Sequence, residues 1–155
     1  MLMSKKDKST FVDPRYANKK GDDYGNVIAD ILKKGCCPFC PEFFKWHKKP
    51  ILKQENGWLI TESSWPYENA EHHYLIIPER HIEKVTELEK NDLATVFGLV
   101  NDVVKKHNIP GGGIALRFGD TRYTGATVVH LHFHLLVPHK ENGKDTSETV
   151  YFPFG

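Results

Sequence analysis

The chain has 155 residues, of which 39% are hydrophobic and 26% are charged, an ordinary composition for one globular domain that folds without disulfides. Its 21 Lys and Arg residues balance 20 Asp and Glu residues, so the net charge is +1. This balance argues against a nucleic-acid or membrane partner held by a strong overall charge. No segment reaches the ~18 apolar residues of a membrane span and the N-terminus lacks the apolar core of a signal peptide, so we expect a cytoplasmic protein.

The first residues differ in composition from the rest of the chain. They are rich in Lys and Arg and poor in large apolar side chains. This composition predicts a flexible basic N-terminal arm over residues 1–23, followed by one domain over residues 24–155. A solvated tail is the favoured interpretation, and a contact with substrate or nucleic acid is the alternative.

The first half of the domain predicts one helix and several strands. The segment "DDYGNVIADILKKG" has apolar residues at helical spacing and ends in two lysines and a glycine, which favours a short helix. The segment "ILKQENGWLITES" predicts a hairpin that turns at Asn56 and Gly57. A buried strand is predicted over residues 74–77, ended by Pro78.

The second half contains the strongest helix pattern. A capping box is predicted from Thr86 to Glu89, and apolar residues then recur at helical spacing from Leu93 to Val104. Strands are predicted over 114–118 and 128–138. This order of elements predicts an α+β fold with an antiparallel sheet.

Three histidines occupy alternate positions in "VVHLHFHLLVP". Side chains alternate between the faces of a strand, so His130, His132 and His134 are predicted to share one face. Buried imidazoles need polar partners, which favours a functional role over packing. The pattern alone allows a zinc tripod, a nucleophile with helpers, or a mixture of the two.

The cysteines are clustered at Cys36, Cys37 and Cys40. Cys37-Pro-Phe-Cys40 is a C-x-x-C pair, typical of a redox site or of half a zinc site. The chain has no second cysteine pair, so the other ligands of a zinc ion would be histidines, with candidates in His81 and the triad. We favour zinc, because the strand-then-helix setting of a redox site is missing.

Together these motifs resemble the zinc-containing branch of the histidine triad (HIT) superfamily of nucleotide hydrolases and transferases. The resemblance rests on "CPFC", "HHYLIIPERHI" and "HLHFHLL" and runs from about Cys37 to Pro138. It implies an antiparallel sheet of about five strands with one long helix and one or more short ones, a small-molecule nucleotide substrate, and a homodimer. It also implies one structural zinc per chain, held by Cys37, Cys40, His81 and His130, with Cys36 unassigned.

The same resemblance implies catalytic roles. His132 matches the nucleophile, His134 and His73 match histidines that position or neutralise phosphate oxygens, and Thr127 matches a hydroxyl-bearing position near the leaving group. The chain departs from many relatives in having Ala126 in place of a glutamine and in lacking an asparagine-containing loop, so Arg117 or Arg122 is expected to contact phosphate instead. Trp65 and Tyr67 are candidates for a wall of the base pocket.

We therefore expect an enzyme that cleaves or transfers at the α-phosphate of a nucleotide derivative or dinucleoside polyphosphate through His132. One alternative is a zinc-dependent hydrolase in which all three triad histidines hold the metal and a bound water attacks. Another is a non-catalytic nucleotide-binding module. The aromatic segment "ETVYFPFG" is expected to dock near the active site or a dimer interface, or simply to cap the core.

Overall fold

The computed structural model describes residues 11–20 and 22–155. Residues 1–10 of the predicted arm lie outside the described residues. The arm's next residues are packed: a 3-10 helix spans Pro14–Lys20, and Val12 and Ala17 are 1% and 2% exposed. Val12 also forms an isolated antiparallel bridge with Val128. This part of the segment therefore belongs to the folded domain.

A five-stranded antiparallel sheet forms the centre of the domain. Its strands are β1 (Ile51–Glu55), β2 (Trp58–Glu62), β3 (Ala70–Pro78), β4 (Gly113–Arg117) and β5 (His132–Pro138). They lie in the order β1-β2-β3-β5-β4, with every neighbouring pair antiparallel. The predicted hairpin is present, because Asn56 and Gly57 have φ values of 48° and 75°, as a tight turn between twisted strands requires. The α+β prediction is confirmed.

Within residues 11–20 and 22–155, three α-helices accompany the sheet. They are α1 (Asp22–Lys34), α2 (Lys90–Lys106) and α3 (Thr121–Thr124), with further 3-10 helices at Pro41–Trp46 and Val85–Glu87. The predicted cap of the long helix is displaced, because Thr86 lies in the second of these 3-10 helices. The carboxylate of Asp92 instead accepts the backbone N–H of Glu89 at 2.8 Å, so the capping box begins at Glu89.

The two faces of the sheet have different roles. One face packs against α2 and forms the main apolar core, in which Trp58, Tyr74 and Leu99 are completely buried. On the other face, Leu75 of β3 is paired with His134 of β5, and Arg117 of β4 with His132. Residues paired in this way point to the same side of an antiparallel sheet. The polar side chains of the candidate site therefore come together on the face opposite α2.

The strand that carries the histidines begins later than the sequence predicts. β5 starts at His132, because the backbone before it pairs elsewhere: the N–H of Val129 donates to the carbonyl of Phe11 and the N–H of Leu131 to that of Ile82. His130 consequently lies before the strand, and the prediction that all three histidines share one strand is wrong for it.

Across the described residues, we find no helix with the length and apolarity that crossing a membrane requires.

Candidate functional site

Four residues from three parts of the chain meet at one end of the site. The ligand atoms of Cys37, Cys40, His81 and His130 all lie within 4.8 Å of one another. Nδ1 of His130 is 3.3 Å from Sγ of Cys37 and 3.8 Å from Sγ of Cys40, and Nδ1 of His81 is 3.5 Å from Sγ of Cys40. Two thiols and two imidazole nitrogens that converge in this way are a typical tetrahedral zinc donor set.

The outer nitrogens of both histidines have oxygen partners. Nε2 of His130 lies 2.8 Å from the carbonyl of Pro78, and Nε2 of His81 lies 2.9 Å from Oε1 of Glu83. Because these oxygens accept hydrogen bonds, the ring proton of each neutral imidazole is on Nε2. Its Nδ1 lone pair then faces the cysteine thiols, which is the arrangement of histidine ligands in metal sites. Burial also lowers the pKa of His130 to about 4, so its imidazole is neutral at pH 7, as a ligand must be.

His132 has its own defined tautomer. Its Nδ1 lies 2.8 Å from the backbone carbonyl of His130, and a carbonyl can only accept, so the ring proton is on Nδ1. The lone pair of the neutral imidazole is therefore on Nε2. His132 is half-buried and lines a large cavity, where such a nitrogen is a competent nucleophile.

His134 and His73 form a hydrogen-bonded pair beside it. The backbone N–H of Tyr67 donates to Nδ1 of His73 at 3.2 Å, so a neutral His73 carries its proton on Nε2. That Nε2 lies 2.9 Å from Nδ1 of His134, to which it donates. His134 then holds its own proton on Nε2, and both rings are almost fully buried. The pair is arranged to hold or pass a proton next to His132.

The cavity that these histidines line has a volume of about 880 Å³. Its apolar lining includes Ile28 of α1, Phe39 and Trp46. The ring of Phe39 lies 5.0 Å from that of His132, and Thr127 also lines the cavity. A cavity of this size, with both polar groups and apolar walls, suits a nucleotide-sized ligand.

The structure separates the two predicted arginines. Arg117 lines the cavity and donates to the hydroxyl of Tyr67 at 2.9 Å. Arg122 instead forms an exposed ion pair with Asp120 at 2.5 Å and is not among the residues that line the cavity. Of the predicted aromatic wall, both Trp65 and Tyr67 line it.

The C-terminal segment lies over the triad end of the cavity. The carbonyl of Pro153 accepts hydrogen bonds from Nε and Nη2 of Arg117 at 2.9 and 2.6 Å. The ring of Phe152 is 4.9 Å from that of His134 and 3.8 Å from the guanidinium carbon of Arg117. The expectation that this segment docks near the active site is confirmed.

Sequence reasoning missed several polar residues of the cavity, among them His47 and Ser64. These two residues are joined by a hydrogen bond of 3.2 Å. The sequence contains no local motif around either residue that sets it apart. They come together because the loop that follows the 3-10 helix Pro41–Trp46 lies against the end of β2.

Comparison with known proteins finds similar sequences over part of the chain. The HIT domain family matches residues 67–141. The chain is 37% identical over 95 residues to adenosine 5'-monophosphoramidase HINT3 of Danio rerio, a match that covers 59% of this chain and 57% of that protein. It is 26% identical over 108 residues to a bis(5'-adenosyl)-triphosphatase of Dictyostelium discoideum, covering 65% of this chain and 71% of that one.

A solved structure shows the same fold. A histidine triad nucleotide-binding protein from Candida albicans superposes with a TM-score of 0.57 and 25% identity, over 76% of this chain and 83% of that one.

Proposed function

We propose that the protein, whose residues 67–141 match the HIT domain family, is an enzyme that hydrolyses or transfers at the α-phosphate of a nucleotide derivative through His132. The observation that carries the proposal is the hydrogen bond from Nδ1 of His132 to the carbonyl of His130. It leaves the Nε2 lone pair as a nucleophile inside a nucleotide-sized cavity. The activities by which the two similar proteins are named, on a phosphoramidate and on a dinucleoside triphosphate, support the same reaction class.

The proposed reaction has two displacements at phosphorus. Nε2 of His132 attacks the α-phosphorus, a P–N bond forms, and the bond to the leaving group breaks with its electron pair on that group. Thr127, placed beside the leaving group by the family resemblance, donates a hydrogen bond to it, and the leaving group takes up a proton from solvent. Water then attacks the phosphorus, the P–N bond breaks with its electron pair returning to Nε2 of His132, and the proton of the water is released to solvent as the nucleoside monophosphate leaves. Transfer differs only in that phosphate or another nucleotide replaces the water.

The charge on the phosphate oxygens is met by Arg117 and by the pair His134 and His73. Arg117 is paired with His132 across the sheet and its guanidinium is drawn toward the carbonyl of Pro153 and the hydroxyl of Tyr67. We propose that a phosphate oxygen takes over one of these hydrogen bonds, since charge-assisted contacts are the stronger ones. Arg122, held by Asp120 outside the cavity, is not part of the proposal.

We propose that the metal at Cys37, Cys40, His81 and His130 is one structural zinc per chain. The geometry supports this role, because two cysteines and two histidines fill a tetrahedral site and leave no position for a reacting water. Bound there, zinc would supply folding stability by joining the segment before β1 to the segment before β5. The thiol ligands must stay reduced, which supports a reducing compartment such as the cytoplasm.

The alternative with water on a metal held by all three triad histidines is disfavoured. Nδ1 of His132 is bonded to a carbonyl and Nδ1 of His134 to His73, whereas Nδ1 of His130 faces the cysteines. Among the residues that the structure describes, the group able to hold a metal contains only the first of these three.

We also propose that the protein is a homodimer, as the family resemblance implies. β4 is an edge strand of the sheet and carries Ile114, which is 40% exposed. On α2, Leu93 and Phe97 are 44% and 55% exposed one helical turn apart. Exposed apolar side chains on an edge strand and a helix support a protein interface there. Light scattering of the wild type and of Phe97→Lys tests this proposal, and a wild-type monomer would contradict it.

A substrate screen followed by phosphorus NMR tests the activity. Adenosine phosphoramidates, dinucleoside polyphosphates and nucleotide sugars are compared with and without added phosphate, using wild type and His132→Ala. We expect release of a nucleoside monophosphate by the wild type only, and an acid-labile nucleotidyl-protein after brief reaction. Nucleotide binding without turnover under every condition would favour a non-catalytic binding module instead.

A further inference from the structure

A series of linked hydrogen bonds begins in the wall of the cavity and contains none of the triad residues. Nε2 of His47 is 2.7 Å from Oγ1 of Thr61, and Nδ1 of His47 is 3.2 Å from Oγ of Ser64. Oγ1 of Thr61 is in turn 2.8 Å from the carbonyl oxygen of Pro50. The mechanism above uses none of these four residues, although His47 and Ser64 line the cavity.

The carbonyl of Pro50, at one end of this series, determines which atom donates and which accepts in each of its hydrogen bonds. Thr61 is completely buried and has one hydroxyl proton, and the carbonyl of Pro50 can only accept it. The hydroxyl oxygen of Thr61 must therefore accept the N–H at Nε2 of His47. Burial lowers the pKa of His47, with a smaller contribution from Lys49, so the ring is neutral and carries a single N–H. Its Nδ1 is then an acceptor.

The hydroxyl of Ser64 is thereby oriented. Its proton is donated to Nδ1 of His47, so it is not available to a ligand. Its oxygen accepts the backbone N–H of Lys48 at 2.9 Å, and a hydroxyl oxygen can accept two hydrogen bonds. Toward the cavity, Ser64 therefore acts as a hydrogen-bond acceptor. To turn into a donor it would have to reverse these hydrogen bonds, and the carbonyl of Pro50 would lose the hydrogen bond that it accepts from Thr61, which is unfavourable.

The surroundings fit a planar ligand group. Trp65, next to Ser64 in the chain, contacts Tyr24 at a centroid distance of 5.0 Å, and both rings line the same cavity as Ser64. Aromatic walls with one oriented polar atom are what a nucleoside subsite requires.

We propose that Ser64 accepts a hydrogen bond from a donor group of the bound nucleoside, and that His47 and Thr61 enforce this selectivity by fixing the hydroxyl proton. The proposal rests on the proposed function for the identity of the ligand as a nucleotide. Two nucleoside groups supply such a donor: an exocyclic amino group, present in adenine and replaced by an oxo group in hypoxanthine, and a ribose hydroxyl. A base that presents an oxo group at this point meets another acceptor and is disfavoured.

Four substrates distinguish the two donors. The 5'-phosphoramidates of adenosine, inosine, 2'-deoxyadenosine and 3'-deoxyadenosine differ at the 6-amino group or at one hydroxyl each. We expect kcat/KM to fall about tenfold for the analogue that lacks the donor bound by Ser64. A fall with inosine identifies the amino group, and a fall with either deoxy substrate identifies the hydroxyl. Equal kcat/KM for all four substrates overturns the proposal.

Variants test the orienting role. Ser64→Ala should bring the ratio of kcat/KM between the adenosine substrate and the disfavoured analogue to about 1. Thr61→Val should do the same, because without the Thr61 hydroxyl His47 is able to place its proton on Nδ1 and turn Ser64 into a donor. Thr95→Ala is the control: its hydroxyl accepts the side-chain N–H of Asn56 at 3.4 Å and Thr95 is not among the residues that line the cavity, so the ratio should stay at the wild-type value. A preference that survives Ser64→Ala overturns the proposal.

Binding gives a readout that does not depend on turnover. Titration calorimetry with the monophosphates of the same four nucleosides measures the selectivity as a ratio of Kd. If no phosphoramidate is hydrolysed but AMP and one analogue differ tenfold in Kd in a Ser64-dependent way, the proposed activity is wrong and the inference about Ser64 holds. If turnover occurs and neither readout shows a difference, the inference about Ser64 is wrong and the activity stands.

Discussion

Replacing each triad histidine by alanine should produce three different proteins, because the three side chains have different partners. His132→Ala removes the nucleophile, and its main structural loss is one hydrogen bond to a backbone carbonyl, about 1 kcal/mol. With a change in Tm of about 2–4 °C per kcal/mol for a domain of this size, it should melt within a few degrees of the wild type. Its metal content should be unchanged, and its turnover should fall by about 10⁴-fold or more.

His130→Ala should behave differently. The side chain is completely buried, so its truncation leaves a cavity that lowers the free energy of unfolding by about 2–4 kcal/mol. The buried Pro78 carbonyl also loses its hydrogen-bond partner, which lowers it by about 1–3 kcal/mol more. The sum, about 3–7 kcal/mol, corresponds to a fall in Tm of at least ~6 °C and up to ~28 °C. One of the four metal ligands is lost as well, so the zinc content should fall together with stability and activity.

His134→Ala should lie between these two. It leaves Nε2 of His73, 2.9 Å away, without this buried acceptor, at a cost of about 1–3 kcal/mol. Zinc should stay bound and the reaction should slow without being abolished. Zinc content by mass spectrometry, Tm by calorimetry and trapping of a labelled nucleotidyl-protein measure the three effects. A covalent adduct on His132→Ala, or equal loss of zinc in all three variants, would refute this division of roles and favour a zinc tripod.

Three other perturbations test separate parts of the structure. Wild type should contain about one zinc per chain, and Cys40→Ser should lose both metal and stability; a metal-free, fully stable and active protein would contradict the assigned ligands. Gly125→Ala should displace the C-terminal segment and change substrate preference, since a Cβ there would lie 2.6 Å from the Gly155 carbonyl oxygen; Gly35→Ala, with a similar φ of 62° but no atom within 4 Å of the added Cβ, controls for backbone strain. Asp13→Asn should cost about 1 kcal/mol at pH 7 after allowance for solvent screening, because a hydrogen bond from Arg15 lowers the pKa of Asp13 to about 2. Since the unfolded value is higher, the wild-type advantage in urea denaturation should be complete above about pH 4 and vanish as the pH falls to about 2; a constant difference between pH 2 and 7 would exclude this cause.

Periodicity was sufficient to identify the long helix and the first hairpin. The helical spacing of apolar residues predicts α2, and the Asn56-Gly57 pair predicts the first hairpin, because these patterns reflect local geometry that each segment imposes on itself. The family resemblance likewise indicated Cys37, Cys40, His81 and His130 as one ligand group, and the structure brings their ligand atoms together.

The position of His130 shows what local sequence patterns do not predict. Alternation put it on the same strand as His132, but the backbone there pairs with Phe11 and Ile82, which lie far away in sequence. Strand pairing depends on which segments meet after collapse, and one strand's own sequence does not contain that information. The early start predicted for β5 and the packed position of residues 11–17 in a segment predicted as an arm have this same cause.

The choice between Arg117 and Arg122 was also decided by tertiary structure. The two arginines lie close together in sequence, but the strand register places Arg117 on the face of His132, and the cap of α3 gives Arg122 a local partner in Asp120. The pair His47 and Ser64 has the same origin. The sequence by itself determined which chemical groups the protein has and which short elements carry them. The fold decided which groups share a cavity and on which nitrogen each imidazole holds its proton, because a hydrogen-bond partner brought from a distant segment sets the tautomer.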